Sequence, residues 1–448
     1  MRTPGSIRLR EQPQTVYSMN FAQTLRFLNQ KGNEVTGIHL GLQRITTLMN
    51  ALGRPQLNYP AVHIAGTNGK GSVAAMAESI LRSAGLKTGL YTSPHLVRLS
   101  ERIRVGGQEI SGRHLARAAT RIRKTEASLL KRGALDRPVT YFEFLTACAF
   151  LYFAEAEVDI GVIEVGLGGL HDATNVVRPA ACVITGISLD HENLLGSTIE
   201  AIAREKAGII KPKTPVISGC RAPSARRVVC ERARELDAPL MEIDRAHSSR
   251  TVAHTGGRFT IDLETPCGSY RRLRLALSGE HQVRNAVLAV TAVEALNVPC
   301  INPAAVKVGL AHTVWPGRLD LYPGERTTLL DGAHNPEGAE LLRRHLARFW
   351  PGEIHLVFGA MRDKDIQAIG RRLFPIASTI HLTPLKNPRS ALPRDMAAEH
   401  RRYANVIRIH SNSREALRAA WRECSRKGMV VVTGSLYLIG EILPLLRK

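Results

Sequence analysis

Apolar positions along this chain follow two periods that take turns. Short, nearly unbroken apolar runs occur at Ala61-Val62-His63-Ile64-Ala65, Leu86 to Thr92, Val158 to Val165 and Ala181 to Ser188. Runs of that length, closed by Gly, Ser or Asp, are the pattern of strands buried on both faces. Between the first two, Val73, Met76, Ala77, Ile80 and Leu81 recur at the spacing of one helix face, which Gly85 ends. Strand, helix, strand at this spacing is a βαβ unit and predicts a parallel sheet. Helical patterns also cover 114–131 and 141–154. Residues 1–59 read as helical, with Phe21 to Leu28 and Leu42 to Leu52 carrying the apolar stripes. Ser197-Thr198-Ile199-Glu200 is a capping box for a helix that carries Lys206 and stops at Gly208. After Pro215 to Gly219 the stretch 221–275 reads as irregular, and 281–296 as a helix. Trp315-Pro316-Gly317-Arg318 and Pro323-Gly324 break the pattern. Beyond them, β-like runs recur at Thr327–Leu330, Ile354–Phe358, Thr379–Thr383, Val406–His410 and Met429–Thr433. The expectation is an α/β chain with a first unit over 1–314 and a smaller α/β unit over 315–448.

Charge alters this picture little. Lys and Arg outnumber Asp and Glu by 61 to 39 among 448 residues, a formal charge of +22, which favours anionic partners. The basic residues are scattered in pairs such as Arg226-Arg227 and Arg371-Arg372, and aromatics are only 5% of the chain. That argues against a base-stacking platform, so nucleic acid is not the expected partner. The seven cysteines lie far apart without a Cys-x-x-Cys pair and read as small buried hydrophobes in a reducing compartment. The longest apolar run, Phe144 to Ala154, is about half of what a spanning helix needs. The first 15 residues hold arginines but no apolar secretion core. A cytoplasmic protein with no membrane role, and a monomer, is expected.

The first strand runs into Gly66-Thr67-Asn68-Gly69-Lys70-Gly71-Ser72. A Gly-rich turn between strand and helix lets backbone N–H groups converge on phosphate oxygens. The strict phosphate-loop spacing is not met: Ile64 stands where its first Gly belongs, and Ser72 follows Lys70 by two positions. In open parallel sheets ligands gather outside the carboxyl ends of the strands, where this turn, Ser93, Glu164 and His191 all fall. A carboxylate, a hydroxyl and an imidazole suit magnesium once water and phosphate complete the shell. Lys206, in a last helical turn, reads from its position alone as a complement to the helix dipole. Asp331-Gly332-Ala333-His334-Asn335-Pro336 follows a strand of the second unit, either as a site at its carboxyl edge or as an ordinary Asp/Asn turn.

These segments together resemble the folylpolyglutamate synthase/dihydrofolate synthase family within the Mur ligases. The ordered matches are Gly41-Leu42-Gln43-Arg44-Ile45, Ala65 to Ser72, Tyr91-Thr92-Ser93-Pro94-His95-Leu96, Glu101 to Arg104, Tyr141-Phe142-Glu143, Glu164 to Gly169, Asp172 to Asn175 and Asp190-His191. They continue through Glu205 to Ile209, Gly279 to Gln282, Trp315 to Arg318, Asp331 to Pro336, Lys364-Asp365 and Thr433 to Ser435. The resemblance implies a phosphate-loop ATPase domain with a parallel sheet, followed by a smaller Rossmann-like α/β domain. It implies that Thr67, Asn68, Gly69 and Lys70 hold ATP phosphates, with Asn285, Arg318 and Asp331 as further ATP contacts. It implies magnesium on Ser93, Glu164 and His191, carbamylation of Lys206, and a catalytic role for His334. Thr140, Tyr141, Phe142, Glu143, His171, Asp172 and Ala173 match the pterin pocket. The implied reaction joins L-glutamate to dihydropteroate or folates. The chain departs from the family at Leu170-His171, where members often read Arg-Leu, and at Leu99, where an aromatic is common. Peptidoglycan ligases and cyanophycin synthetases place larger domains ahead of the loop than the roughly 60 residues present here. A nucleic-acid-stimulated NTPase would explain the loop and the charge but not Glu164, His191, Lys206 and His334 together.

Overall fold

The computed structural model describes residues 18–32 and 41–447. The first 15 residues, and the part of the helical reading over 1–59 that falls on 1–17 and 33–40, lie outside them. Ahead of the first strand, Phe21–Gln30 and Gln43–Ala51 are helices.

Eight strands form the first sheet: β1 (Ala61–Ala65), β2 (Thr88–Tyr91), β3 (Ile103–Val105), β4 (Gln108–Glu109), β5 (Ile160–Glu164), β6 (Pro179–Ile184), β7 (Val216–Ser218) and β8 (Leu240–Glu242). Their order is β4-β3-β2-β5-β1-β6-β7-β8, parallel except for the β3–β4 hairpin on the β2 edge. Alternation along each strand feeds two cores. Val62, Ile64, Leu90 and Val162 pack on one face with the helices Lys70–Ser83 and His281–Glu294. Tyr91 and Ile163 pack on the other face with Gly112–Lys131 and Tyr141–Glu155.

The stretch read as irregular is ordered. It holds the helix Pro223–Glu235, strand β8 and an antiparallel sheet of β9 (Ser248–Thr255), β10 (Arg258–Thr265) and β11 (Gly268–Ser278). In β10, Phe259, Ile261 and Leu263 are buried between Arg258, Thr260 and Asp262. In β11, Leu273, Leu275 and Leu277 are buried between arginines and other exposed or half-buried residues. This is a period of two. Every residue of β9 is exposed, so that strand has no apolar signature and is held by its ladder to β10.

The second sheet has the order β12-β13-β17-β14-β15-β16: β12 (Asp320–Tyr322), β13 (Thr327–Leu330), β14 (Ile354–Phe358), β15 (Thr379–Leu382), β16 (Ile407–Ile409) and β17 (Met429–Thr433). All pairs are parallel except β12 with β13. Strand β12 lies in the segment the sequence showed only as a break. Helices cover both faces, with Leu342, Ile369 and Leu373 in one core and Leu417, Leu438 and Ile442 in the other. Among the described residues the two units meet at three places. Leu96 lies against Ile439 and Gly440, Phe349 lies edge-on to Phe259 and His254, and the third contact is the cleft at the sheets' carboxyl ends.

Candidate active site in the interdomain cleft

The loop between β1 and the helix Lys70–Ser83 forms the floor of the cleft. Gly69 has φ +89°, a left-handed geometry, and a Cβ there would stand 2.7 Å from Asn285 Oδ1. At Gly66 a Cβ would collide with the Thr185 hydroxyl. Thr185, just past β6, donates to Asn68 O at 2.6 Å, and Thr67 exchanges two 3.1 Å hydrogen bonds with the Ser188 backbone. The Lys70 ammonium folds back onto its own loop, donating to Gly66 O at 3.0 Å and Thr67 O at 3.1 Å. Burial lowers its pKa, against the pull of Glu164 and Asp190. The Ser72 hydroxyl is buried and accepts from Gln282, which in turn accepts from Asn285.

Glu164 ends β5 nearly buried, and the Ser93 backbone N–H donates to its Oε2 at 3.2 Å. After β5 the chain runs through Gly166 to Gly169 against the helix Ile199–Ala207, with Leu170 N donating to Glu205 O at 2.7 Å. A Cβ on Gly169 would sit 3.0 Å from Lys206 Cα, so a glycine lets this helix carry Lys206 up to the cleft. Lys206 is buried, and its pKa falls to about 7 because of burial and the nearby Lys70, with Asp190, Asp172 and Glu205 opposing. Burial takes the amine out of water, which a lysine that only complements its helix dipole does not require.

The linker and second unit close the cleft from the other side. Arg318 is held beside Asp331, which accepts from Leu319 N at 2.9 Å and Ala333 N at 3.0 Å. His334 Nδ1 lies 2.8 Å from Gly332 O; only a protonated Nδ1 can bond a carbonyl, so Nε2 is left as an acceptor. Burial lowers the His334 pKa to about 4, with Lys364 adding to the effect. Asp190 joins the two units through Lys364 Nζ at 2.6 Å, with His334 Nε2 at 3.8 Å and His191 Nε2 at 3.9 Å. Burial pushes its carboxyl up, but these three groups outweigh burial and hold it well below the usual carboxylate range. His191 itself has φ +53°, and burial lowers its pKa to about 4. Asn68 bonds both Asn335 and Glu337, at the start of the helix Pro336–Phe349.

Thr67, Asn68, Gly69, Lys70, Ser93, Glu164, His191, Lys206, Asn285, Arg318, Asp331 and His334 thus line one cleft. Thr140, Tyr141, Phe142, Glu143, His171, Asp172 and Ala173 do not line it; they form its shoulder. Thr140 and Glu143 are a capping box, and Glu143 also pairs with Arg44 at 3.2 Å. Phe142 packs on Gly166, and the Arg102 guanidinium lies over the Tyr141 ring at 5.9 Å. Asp172 accepts from Gly166 N and Leu167 N, fixing the glycine turn, while His171 is exposed and Ala173 buried. Sequence reasoning gave no role to Thr185, Asp190, Gln282, Asn335, Glu337 or Lys364. Asp190, Gln282, Asn335 and Lys364 stand inside segments already singled out; nothing in the sequence pairs residues from two units.

Comparison with known proteins agrees with this architecture. Residues 64–293 match the Mur ligase middle domain, and 317–436 the Mur ligase, glutamate ligase domain. The chain is 39% identical over 416 residues to a dihydrofolate synthase/folylpolyglutamate synthase of Bacillus subtilis (strain 168), covering 91% of this chain and 95% of the relative. It superposes on a Mycobacterium tuberculosis folylpolyglutamate synthase complexed with ADP and AMPPCP with TM-score 0.88 and 34% identity, over 96% of this chain and 98% of that one. On Escherichia coli FolC in complex with DHPP and ADP the TM-score is 0.86 at 30% identity, over 96% and 98%.

Proposed function

The chain belongs to the folylpolyglutamate synthase/dihydrofolate synthase family of Mur ligases, and from that premise we propose that it joins L-glutamate to dihydropteroate, to folates, or to both, using ATP. The observation that carries this reading is the convergence of the glycine loop, Glu164, Lys206 and the second unit's Arg318, Asp331 and His334 on one cleft. The proposed division of labour puts nucleotide and pterin on residues 1–314 and glutamate on 315–448.

The donor set fits ATP and magnesium. The loop Gly66 to Lys70 opens onto the cleft with Thr185 and Asn285 packed tightly against its two glycines, and Glu164 is a buried carboxylate at the strand end beside Ser93. Ser93, Glu164 and His191 would hold magnesium, which supplies charge neutralisation at the phosphates when bound. Lys70 leaves its loop carbonyls to meet phosphate, and Asn285 from the first unit, with Arg318 and Asp331 from the linker and second unit, positions the nucleotide. A carboxylate is a poor electrophile, so its oxygen first takes the γ-phosphoryl group to form an acyl phosphate. The chain's part in that step is positioning and electrostatic stabilisation. The glutamate amine then attacks the acyl carbon and phosphate leaves. His334, neutral and an acceptor at Nε2, suits the incoming ammonium better than a phosphate oxygen. With a pKa near 7, Lys206 has the free amine that carbon dioxide needs, and carbamylation would turn it into a carboxylate partner of the metal. Phe142, Tyr141 and the 171–173 turn form the proposed pterin shoulder. No helix among the described residues is long and apolar enough to cross a membrane. Four of the seven cysteines are buried and all are free, which suits a reducing cytoplasm, and the proposal is of a monomer acting on small molecules.

The deciding experiment offers purified protein ATP, magnesium and glutamate with dihydropteroate or tetrahydrofolate in parallel, read by product mass. A glutamate adduct on at least one acceptor is expected. Phosphate release stimulated by RNA or DNA but not by pterins would overturn the ligase reading.

A further inference from the structure

The second unit holds a histidine cluster that the ligase chemistry does not use. His355 in β14 and His381 in β15 are buried, and His410 follows β16 on the next strand over. His355 shares its face with Val357, which packs among Ala416, Leu417 and Ala420 of the helix Ser413–Glu423. That helix ends at Glu423, directly over the cluster. His355 stands near the amino end of its strand, away from the carboxyl edge that carries Asp331 and the cleft.

One ring nitrogen each of His355 and His381 and a carboxylate oxygen of Glu423 lie within 4.8 Å of one another. The Thr379 hydroxyl stands between the two rings, 2.7 Å from His355 Nδ1 and 3.0 Å from His381 Nε2, and Glu423 Oε2 is 3.8 Å from His381 Nε2. The outward nitrogens are partnered. His355 Nε2 is 2.8 Å from Glu353 Oε1, and His381 Nδ1 is 3.0 Å from His410 Nε2, with those two rings stacked. A carboxylate only accepts, so His355 carries its proton on Nε2 and turns the Nδ1 lone pair inward. With His410 as acceptor, His381 presents Nε2 in the same way. An imidazole whose far nitrogen is bonded to a carboxylate or another acceptor is the arrangement that orients metal-ligating histidines.

We propose that His355, His381 and Glu423 form a binding site for a borderline-soft divalent metal ion, with Zn2+ as the best chemical match, completed by the Thr379 hydroxyl or a water. Two imidazoles and one carboxylate make a zinc donor set, and a tetrahedral ion would draw the three atoms closer together. Glu423 has the freedom to move in, being partly exposed at a helix end. Two imidazole nitrogens are softer donors than the oxygens magnesium takes, and this selects zinc over magnesium. The bound ion fastens β14 and β15 to the helix Ser413–Glu423 and takes no part in ligation.

The test uses the full chain, free of any tag and stripped with a chelator, titrated with Co2+ in excess magnesium to fill the nucleotide site. One equivalent of Co2+ giving a tetrahedral visible band is expected, together with a rise in Tm on adding Zn2+. The band disappears in Glu423→Gln and in His355→Ala, and Glu353→Gln weakens binding about 10–100-fold. Circular dichroism checks folding; should His355→Ala fail to fold, Glu423→Gln, altered at a partly exposed position, decides. Absence of the band in the unsubstituted protein, or a band untouched by these substitutions, overturns the site.

Discussion

Two side chains in the cleft, Lys206 and Glu164, each make a measurable claim. Lys206→Ala is expected to abolish ligation, with short carboxylates restoring part of it; near-normal turnover without rescue would return Lys206 to an ordinary lysine. Because the folded pKa is about 7 and the unfolded value about 10.4, the cost of burying this amine is fully present below pH 7. That cost is relieved as pH rises from about 7 to 10.4. Lys206→Met should therefore stabilise the fold at pH 6 by about 1–4 kcal/mol while removing activity, as denaturant unfolding can show. Glu164→Gln is expected to raise the magnesium requirement at least tenfold in a turnover titration, and an unchanged titration would remove Glu164 from the metal site.

At the scale of elements, the glycine loop is set by what lies behind it. Gly66→Ala places a methyl group against the Thr185 hydroxyl, in a backbone with φ +148°. A loss of about 2 kcal/mol or more in stability and a sharply raised KM for ATP are expected. Both effects are checked by thermal unfolding and steady-state kinetics. Most strands and helices were legible because their apolar residues keep one period. Failures came where the period was hidden: β9 has no buried residue, and arginines on the outer face of β11 masked its alternation. The loop, Ser93 and Glu164 were legible as strand ends. Thr185 looked like one more residue of an apolar run, and the burial of Lys206 depends on Gly169 admitting its helix, which no local pattern encodes. His355 and His381 sat unremarked inside strand patterns for the same reason.

For the whole molecule, Asp190 and Lys364 form a nearly buried ionic clasp between the two units. A double-mutant cycle with Asp190→Asn and Lys364→Met should give a coupling of about 1–3 kcal/mol in glutamate-dependent turnover. Asp190's folded pKa is depressed, so its stabilising contribution is complete above about pH 4 and is lost as pH falls below that. Acid unfolding should accordingly shift to higher pH in Lys364→Met. The hydrogen bonds from Asn68 to Asn335 and Glu337 have a further consequence, for descent and recombination. Each half has its own sheet and cores, so either half could be exchanged with a relative's and still fold. The phosphate loop of one half nonetheless ends on side chains of the other, so such a chimera inherits two sound halves and a broken seam. The two halves are separable as folds, but any substitution at Asn68 or Asp190 must be matched across the cleft, and they are constrained to change together.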